Sequence, residues 1–387
     1  MVVQLNETYF KSTSKTMKDI IIIGGGLAGI INAIQLSRAG FEVLLIEKGA
    51  YPAHKVCGEY VSNEVLPFLN LHDIFPVAFE PPHIDQFQLS DNQGKSVKMS
   101  LQQGGFGISR FLLDDFLYKK ALASGTSFLL NTQVEDVCFE ENAFRVSLRK
   151  GDELMARIVI GAYGKRSRLD KNLDRDFISK RTPFIGVKYH VKADFPRNLV
   201  ALHNFEGGYC GIGAIENGLT NICYLGNKHS LRAHGSIEEM ERQVLYKNPF
   251  LKEIFSQATF VFEKPEVINE VSFASKSVVH HHILMSGDTA GLISPLCGNG
   301  MAMAIRSAKM LSALICKHYK KGSFDRQMLE KEYTHAWRDE FAWRLWYGRN
   351  TQKLFGNKLA SSFLVGLARN ASFVANIMVK QSHGKPF

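Results

Sequence analysis

The sequence predicts an α/β protein in which a Rossmann-like parallel domain carries an inserted antiparallel sheet and is followed by a helical C-terminal region. Residues 19–23 form a β-branched run, typical of a strand buried on both faces of a parallel sheet. A glycine turn, a helical pattern over 27–39 and an apolar strand at 41–46 complete a βαβ unit. Short alternating segments dominate residues 182–270, and helical patterns dominate the chain beyond residue 300.

Length and composition exclude disordered, fibrous and membrane-spanning classes. The chain has 387 residues, of which 45% are hydrophobic and 22% charged, and this is enough for two or three domains. No run of eighteen apolar residues occurs, and the six cysteines show neither CxxC nor zinc-type spacing. We therefore expect a cytoplasmic protein with reduced thiols, without a metal site or secretory leader. Three consecutive histidines, 280–282, are interpreted as a solvated strand entry, because neighbours on a strand point to opposite faces.

The net charge of +10 is concentrated near the C-terminus. Between residues 317 and 387, 13 Lys and Arg stand against 5 Asp and Glu, which leaves +8 in that stretch. No nucleic-acid-binding motif accompanies this charge, so nucleic acid is not a predicted partner. Apolar residues between 359 and 380 are flanked by Lys358, Arg369 and Lys380. A helix of this kind either lies on an anionic membrane or packs on its own domain, and the sequence leaves both interpretations open.

The most specific motif is Gly24-Gly25-Gly26-Leu27-Ala28-Gly29, between the first strand and the first helix. Gly24 permits the tight turn, Gly26 lets a pyrophosphate approach the backbone, and Gly29 allows helix and strand to pack closely. The helix N-terminus offers unpaired N–H groups to phosphates. At the end of the second strand, Glu47 can accept hydrogen bonds from a ribose. The unit predicts a bound dinucleotide with contacts at Gly24, Gly26, Leu27, Ala28, Gly29, Glu47 and Lys48.

A second glycine motif decides which dinucleotide is expected. Gly287-Asp288 follows the apolar strand 283–285, and Pro295 and Gly298-Asn299-Gly300-Met301 lead into a helix. This pattern resembles the second flavin signature of the p-hydroxybenzoate hydroxylase and geranylgeranyl reductase superfamily. The resemblance implies FAD, with the Asp288 carboxylate on the ribityl chain and the helix N-terminus stabilising negative charge on the reduced ring. It implies cofactor contacts at Gly287, Asp288, Pro295, Gly298, Gly300 and Met301.

Two further matches extend the resemblance over residues 19–320. Arg110 opens a predicted helix and resembles the arginine whose guanidinium contacts the cofactor in this superfamily. Residues 160–164 resemble the third fingerprint of the superfamily, although Tyr163 stands where it usually has aspartate. These matches add Arg110, Gly164 and, in the strand region 127–149, Val134 to the predicted cofactor contacts.

Candidate catalytic residues come from two segments. Lys55-Val56-Cys57-Gly58-Glu59 resembles the Cys-Gly segment of geranylgeranyl reductases, where the cysteine lies near the reactive face of the flavin. Residues 207–213 keep the glycines and the tyrosine of the substrate segment in those reductases but lack its tryptophan and Phe-Pro, so a lipid-binding role is not implied. No Trp-x-Trp-x-Ile-Pro segment occurs, which limits the likeness to flavin-dependent halogenases to the cofactor fold. The candidates are Cys57, Glu59 and Tyr209.

The resemblance implies a p-hydroxybenzoate hydroxylase-type architecture with a discontinuous FAD-binding domain. We expect FAD-binding segments at 17–81, 104–181 and 271–320, a substrate domain from 82–103 and 182–270, and a C-terminal helical region over 321–387.

The predicted function is that of an FAD-dependent oxidoreductase acting on an apolar small molecule. The leading hypothesis is hydride transfer to or from a carbon–carbon bond, as in geranylgeranyl reductases. The alternatives are a monooxygenase that hydroxylates an aromatic or polyketide compound, and a non-catalytic flavin electron-transfer or binding protein. Because only one GxGxxG occurs, NADPH or NADH would bind transiently or another donor would reduce the flavin.

Overall fold

A computed structural model of the chain describes residues 17–179, 182–269, 271–292, 298–320, 323–352, 355–370 and 383–387. Its strands are β1 Lys18–Ile23, β2 Val43–Ile46, β3 Tyr60–Ser62, β4 His83–Ser90, β5 Ser96–Gly107, β6 Ser127–Leu129, β7 Val134–Glu140, β8 Ala143–Leu148, β9 Glu153–Gly161, β10 Phe184–Lys192, β11 Leu199–Phe205, β12 Gly208–Ala214, β13 Thr220–Asn227, β14 Thr259–Phe260, β15 Glu266–Asn269, β16 Val279–His280, β17 Ile283–Met285, β18 Tyr319–Lys320 and β19 Ser323–Phe324. Its α-helices are α1 Leu27–Arg38, α2 Leu66–Leu71, α3 Arg110–Ala123, α4 Arg168–Asn172, α5 Lys228–His234, α6 Ile237–Gln243, α7 Pro249–Gln257, α8 Gly300–His318, α9 Arg326–Gln352 and α10 Lys358–Asn370.

The first sheet is parallel at its centre. Its strands lie in the order β17, β9, β1, β2, β6, and each neighbouring pair in this run is parallel. The strand β16 adds antiparallel to β17, and the hairpin of β7 and β8 adds antiparallel to β9. The four isoleucines 20–23 of β1 are buried, as expected of a strand covered on both faces. The predicted βαβ unit and the α/β fold class are confirmed.

Helices cover this sheet and complete its core. The helix α1 packs against α3 and α8, and α8 in turn packs against α9. Tyr333 and Phe341 of α9 are fully buried in the same core as β1 and α1. Part of the helical C-terminal region therefore belongs to the core around the first sheet.

The second sheet has nine strands and lies beside the first. Its order is β14, β10, β13, β12, β11, β4, β5, β3, with β15 also pairing with β10, and all pairs except β4 with β11 are antiparallel. On one face, Val187 and Tyr189 of β10 share a core with Met240 of α6 and residues of α7. Because side chains alternate along a strand, Lys188 and His190 belong to the opposite face. The predicted hairpin at 82–103 is present as β4 and β5.

The structure differs from the predicted elements at three places. In the predicted strand entry at 280–282, His281 and His282 instead form a turn between β16 and β17, with φ of +47° and +65°. The short ladder of β18 and β19, which separates α8 from α9, was missed. The predicted helix up to residue 380 continues as α9 and α10 to Asn370, and residues 371–382 lie outside the described part of the chain.

The described residues form neither a candidate membrane span nor a candidate metal site. Within the described ranges, no helix is both long and apolar enough to cross a bilayer. The same ranges contain no group of three or more His, Cys, Asp and Glu side chains that could hold a metal ion.

Candidate functional site

The three glycines of the first motif have different roles in packing. Gly24 has φ of +104°, and a Cβ added there would lie 2.5 Å from the carbonyl oxygen of Ala162. A Cβ on Gly29 would lie 2.0 Å from the carbonyl oxygen of Gly24. A Cβ on Gly26, by contrast, would meet only the Arg110 guanidinium, at 3.8 Å. The first and third glycines are therefore needed for packing, while the second leaves the N-terminus of α1 accessible to a ligand, as pyrophosphate binding requires.

The second glycine motif lies directly against the first. Gly287 has φ of +64°, and a Cβ on it would lie 2.8 Å from the Cβ of Ala28 in α1. Asn32 of α1 donates a hydrogen bond of 3.2 Å to Ser286, which lies 254 positions away in sequence. Asp288 is half-buried, and no hydrogen bond among the described residues involves its carboxylate. This carboxylate therefore remains available to a polyol chain beside the N-terminus of α1.

A buried lysine joins the second motif to the turn at Gly164. The Lys276 Nζ donates to the backbone carbonyls of Lys165 at 2.7 Å and Asp288 at 2.8 Å. Gly164 also donates its N–H to the Thr289 hydroxyl at 2.8 Å. Burial lowers the pKa of Lys276 to about 8. No local sequence pattern identifies Lys276, because its partners are backbone atoms of distant turns.

Positive charge is placed next to Gly26 by helix α3. The Arg110 guanidinium forms two hydrogen bonds of 2.7 and 2.8 Å with the Asp114 carboxylate. Lys55 donates to the same carboxylate at 2.8 Å. Burial by itself raises the pKa of Asp114, but the charges of Arg110 and Lys55 lower it below its ordinary value. The cluster of Arg110, Lys55 and Asp114 carries one net positive charge, and its guanidinium next to Gly26 suits a phosphate group.

Glu47 is tied into the glycine turn at the end of β2. Its carboxylate accepts hydrogen bonds from the N–H groups of Gly25 at 2.6 Å and Gly49 at 3.1 Å. The neighbouring Lys48 is exposed, and Val134 is buried at the start of β7. Glu47 thus lies beside the glycine turn, where a ribose next to the pyrophosphate would lie. Among the described residues, the Lys48 side chain has no hydrogen-bond or ion-pair partner.

The remaining predicted cofactor contacts flank the two helix N-termini. Leu27 and Ala28 are buried in the first turn of α1. Gly298 has φ of +61°, and a Cβ on it would lie 3.4 Å from the Tyr60 ring. Gly300 and Met301 open α8, whereas Pro295 lies outside the described residues. The N-terminus of α8 therefore lies close to β3, directly after the Cys57 segment.

The predicted catalytic residue Glu59 is the centre of a buried charge cluster. It has φ of +55°, and its side chain is fully buried. One carboxylate oxygen accepts from Lys188 Nζ at 2.5 Å and from the backbone N–H of Arg110 at 2.7 Å, while the other lies 2.6 Å from His190 Nε2. Burial alone raises the pKa of Glu59, but the hydrogen bond with His190 and the charge of Lys188 lower it below its ordinary value of 4.5. This carboxylate holds the N-terminus of α3 against the second sheet.

The backbone of the Cys57 segment is bound to the same sheet. Lys188 Nζ donates to the carbonyl of Lys55 at 3.2 Å, and Asn221 Nδ2 donates to the carbonyl of Cys57 at 3.2 Å. Cys57 itself is half-buried. Polar residues of β10 and β13 therefore fix the position of the segment that carries the predicted reactive cysteine.

Tyr209 lies in a different part of the second sheet. Its hydroxyl donates to Gln352, the last residue of α9, at 3.3 Å, and its ring packs against Phe355. Cys57 and Glu59 share one network with Lys188 and Asn221, and the hydrogen bond of Tyr209 belongs to the C-terminal helices instead. Lys188 and Asn221 were missed by the sequence analysis. The only signal for them was the alternation of polar and apolar residues along β10 and β13.

The comparisons with known proteins agree with this geometry. Residues 17–347 match the family described as FAD binding domain. A digeranylgeranylglycerophospholipid reductase of Methanosarcina acetivorans is 24% identical over 345 residues, which cover 84% of this chain and 81% of the relative. The solved structure of a geranylgeranyl bacteriochlorophyll reductase-like protein from Thermoplasma acidophilum has a TM-score of 0.77 at 17% identity and covers 96% of each chain. Halogenase PltM, solved with phloroglucinol and FAD, has a TM-score of 0.73 at 18% identity and covers 95% of this chain and 87% of that one.

The fold and the family match define the chain as an FAD-dependent oxidoreductase. It belongs to the FAD binding domain family, whose model covers both glycine motifs. The predicted resemblance and the predicted FAD cofactor are confirmed, and the family match together with relatives that include reductases favours an enzyme over the non-catalytic alternative. The individual cofactor-binding side chains remain predictions.

The buried charge cluster yields a testable prediction on stability. Glu59→Gln leaves the Lys188 ammonium buried without its anion, so we expect a loss of about 3 kcal/mol in the free energy of unfolding at neutral pH. Because the pKa of Glu59 is lowered on folding, its contribution is present above pH 4.5 and is lost as the pH falls through the folded value. The difference between wild type and Glu59→Gln in urea unfolding should therefore shrink in acid.

The control is the double variant Glu59→Gln/Lys188→Met, which removes both charges. We expect it to be less destabilised than the sum of the two single variants, because each single variant leaves one partner uncompensated. Additive losses, or a Glu59→Gln deficit that is independent of pH, would contradict the ion pair.

Proposed function

We propose that this enzyme transfers hydride to or from a carbon–carbon bond of an apolar small molecule, as its likeness to geranylgeranyl reductases implies. The observation that supports this most is the position of the Cys57 segment. This segment connects helix α3, on the side of the glycine turns, to the polar face of the second sheet. Glu59 accepts hydrogen bonds from the backbone N–H of Arg110 in α3 and from Lys188 in β10. Asn221 in β13 donates to the carbonyl of Cys57. When bound, FAD would supply the hydride chemistry, so the protein's task is binding, orientation and exclusion of water.

We propose that the two glycine turns hold FAD. The accessible backbone at Gly26, with Arg110 beside it, suits the pyrophosphate, and Glu47 suits the adjoining ribose. The unbonded Asp288 carboxylate suits the ribityl chain, and the N-terminus of α8 at Gly298 to Met301 suits the ring end of the cofactor. Lys276 would act as a positioning residue, because it bonds the carbonyl of Asp288 itself.

We assign different roles to the three candidate catalytic residues. The carboxylate of Glu59 has bonds on both oxygens inside the protein, so we propose that it positions the Cys57 segment. The half-buried thiol of Cys57 is the group we propose to contact substrate. Tyr209 would contribute to an apolar wall near α9 and α10, together with residues such as Leu202 and Val365.

A monooxygenase reaction is the second candidate, and one observation favours it. On the polar face of β12, a Cβ on Gly211 or on Gly213 would make only one van der Waals contact, and a strand without these side chains suits the close approach of a flat ring. The structurally similar halogenase was solved with the aromatic compound phloroglucinol. In either case we propose NADPH or NADH as a transient electron donor, because the sequence holds one dinucleotide motif and FAD would occupy it.

The two reactions are distinguished by their need for oxygen. The proposed reductase, loaded with FAD and reduced anaerobically by dithionite, should add hydrogen to the double bonds of geranylgeraniol, measured by product mass. Cys57→Ser should lower this rate about tenfold, which corresponds to ~1.4 kcal/mol of transition-state stabilisation. The matched control is Cys316→Ser, because Cys316 is exposed and far along α8 from the glycine motif at its start.

The monooxygenase proposal would replace the reductase proposal if the enzyme reduced no double bond of geranylgeraniol anaerobically and incorporated ¹⁸O from labelled oxygen into phloroglucinol. Equal rates for Cys57→Ser and Cys316→Ser would contradict the proposal that Cys57 contacts the substrate.

We also propose that helix α10 lets a cytoplasmic enzyme contact an anionic membrane. Leu359, Phe363 and Leu367 are 83%, 71% and 37% exposed, although Val365 on the opposite side is buried against the second sheet. The sequence from 341 to 387 contains seven Lys and Arg and no Asp or Glu. An exposed apolar stripe within a purely basic segment suits an anionic lipid surface.

Vesicle binding tests this contact. We expect the wild type to sediment with phosphatidylglycerol vesicles at low salt, and the variant Leu359→Gln/Phe363→Gln/Leu367→Gln to bind at least about tenfold more weakly. The control is Leu71→Gln/Val77→Gln, which removes two equally exposed side chains, at 80% and 71%, outside the basic segment. Equal loss in both variants, or equal binding to neutral phosphatidylcholine vesicles, would contradict the proposal.

A further inference from the structure

The polar face of the second sheet contains two glycines that folding alone does not require. Gly211 and Gly213 lie in the middle of β12, where glycine weakens a strand, and neither has a positive φ. A Cβ on Gly211 would meet only the Cys223 carbonyl oxygen at 3.6 Å, and one on Gly213 only Val200 at 3.8 Å. By contrast, a Cβ on Gly208 of the same strand would lie 2.1 Å from the carbonyl oxygen of Leu225. Gly208 is needed for packing, and the other two mark a close approach by something else.

A buried hydrogen-bond acceptor lies next to these glycines. Asn221 of β13 pairs with Gly213 on one side and with His190 on the other, and it is 1% exposed. Directly paired residues have their Cβ positions about 5 Å apart on the same face of the sheet. The Asn221 side chain therefore borders the space over Gly213.

The orientation of the Asn221 amide is fixed. Its Nδ2 donates to the carbonyl of Cys57, so the opposite orientation would place two oxygens against each other. Its Oδ1 is buried and accepts no hydrogen bond from any residue in the described ranges. A buried acceptor left without a donor costs about 1 to 3 kcal/mol, and a donor carried by a ligand removes this cost.

The ionisable side chains of β10 beside this space are hydrogen-bonded inside the protein. Lys188 and His190 both bond the Glu59 carboxylate. Burial raises the pKa of the Cys223 thiol to about 12, so this neighbour of Gly211 is also uncharged at neutral pH. The positive charge of Lys165 also acts on the Cys223 thiol and favours its ionised form, so this region of the described structure is not free of cations.

We propose that Gly211, Gly213 and Asn221 form the substrate site, and that it takes a flat ring compound whose O–H or N–H donates to Asn221 Oδ1. The flat surface over the two glycines accepts the ring, and the amide oxygen selects the donor. The bond from Asn221 to the Cys57 carbonyl connects this site to the segment that carries the proposed reactive cysteine. The inference rests on the proposal that FAD is bound, and a ring substrate favours the second of the two proposed reactions, the monooxygenase.

Binding of phenol and anisole to the FAD-loaded protein tests the inference. The two probes share a ring, but only phenol can donate a hydrogen bond. We expect wild type, titrated by flavin absorbance, to bind phenol about tenfold more tightly than anisole. Asn221→Leu should remove this preference. Gly213→Ala should weaken both probes about tenfold, since its methyl group occupies the ring space without a clash inside the protein. The control is Gly366→Ala, where the added Cβ meets no atom within 4 Å, and it should bind both probes as wild type does.

The affinity of each variant for FAD distinguishes a failure of the ring site from a failure of the proposed FAD site. Variants that take up FAD normally but keep wild-type binding of phenol and anisole overturn the ring site and leave the flavoenzyme proposal standing. A wild type that binds phenol and anisole equally, or binds neither, also overturns it. An Asn221→Leu variant that weakens FAD and leaves the phenol preference intact would assign Asn221 to the cofactor. A wild type that takes up no FAD overturns both proposals.

Discussion

The close approach of two glycine turns is the constraint on which the site depends. Parallel strands bring their carboxyl ends to one edge of the sheet, and the order β17, β9, β1 places Gly287 beside the turn after β1. A Cβ added to Gly287 would lie only 2.8 Å from the methyl group of Ala28. Any side chain on Gly287 would separate the turns. The accessible backbone at Gly26 and the unbonded Asp288 carboxylate can therefore reach one extended ligand.

A second constraint joins this cofactor side to the substrate side. The buried carboxylate of Glu59 receives bonds from the N-terminus of α3, from Lys188 and from His190. Burying an ion pair is costly, and such a pair is weak evidence of stability, but its geometry fixes whatever it connects. Here it connects the helix that carries Arg110, the segment that carries Cys57, and the sheet face that carries the glycines of β12. One carboxylate thus sets the distance between the two halves of the site.

The local parts of this arrangement could be predicted from the sequence, and the long-range parts could not. Period and glycine spacing predicted the βαβ unit to within about two residues and α8 at its observed bounds, because these signals act over neighbouring residues. The bonds of Glu59 with Lys188 and of Cys57 with Asn221 join residues 129 and 164 positions apart, and no spacing rule encodes them. The same limit explains why Tyr209 was grouped with Cys57, although its hydroxyl bonds Gln352. The division into domains and the roles of individual side chains stay predictions.

Binding of FAD and of ADP to the Asp288→Ala variant tests the central claim most directly. If one cofactor spans both turns, ADP contacts only the turn at Gly26, and FAD contacts Asp288 as well. The account predicts that Asp288→Ala weakens FAD about tenfold, or ~1.4 kcal/mol, and leaves the affinity for ADP unchanged, with ADP competing against FAD in the wild type. Equal affinities of FAD for wild type and variant, or ADP and FAD bound together without competition, would contradict it.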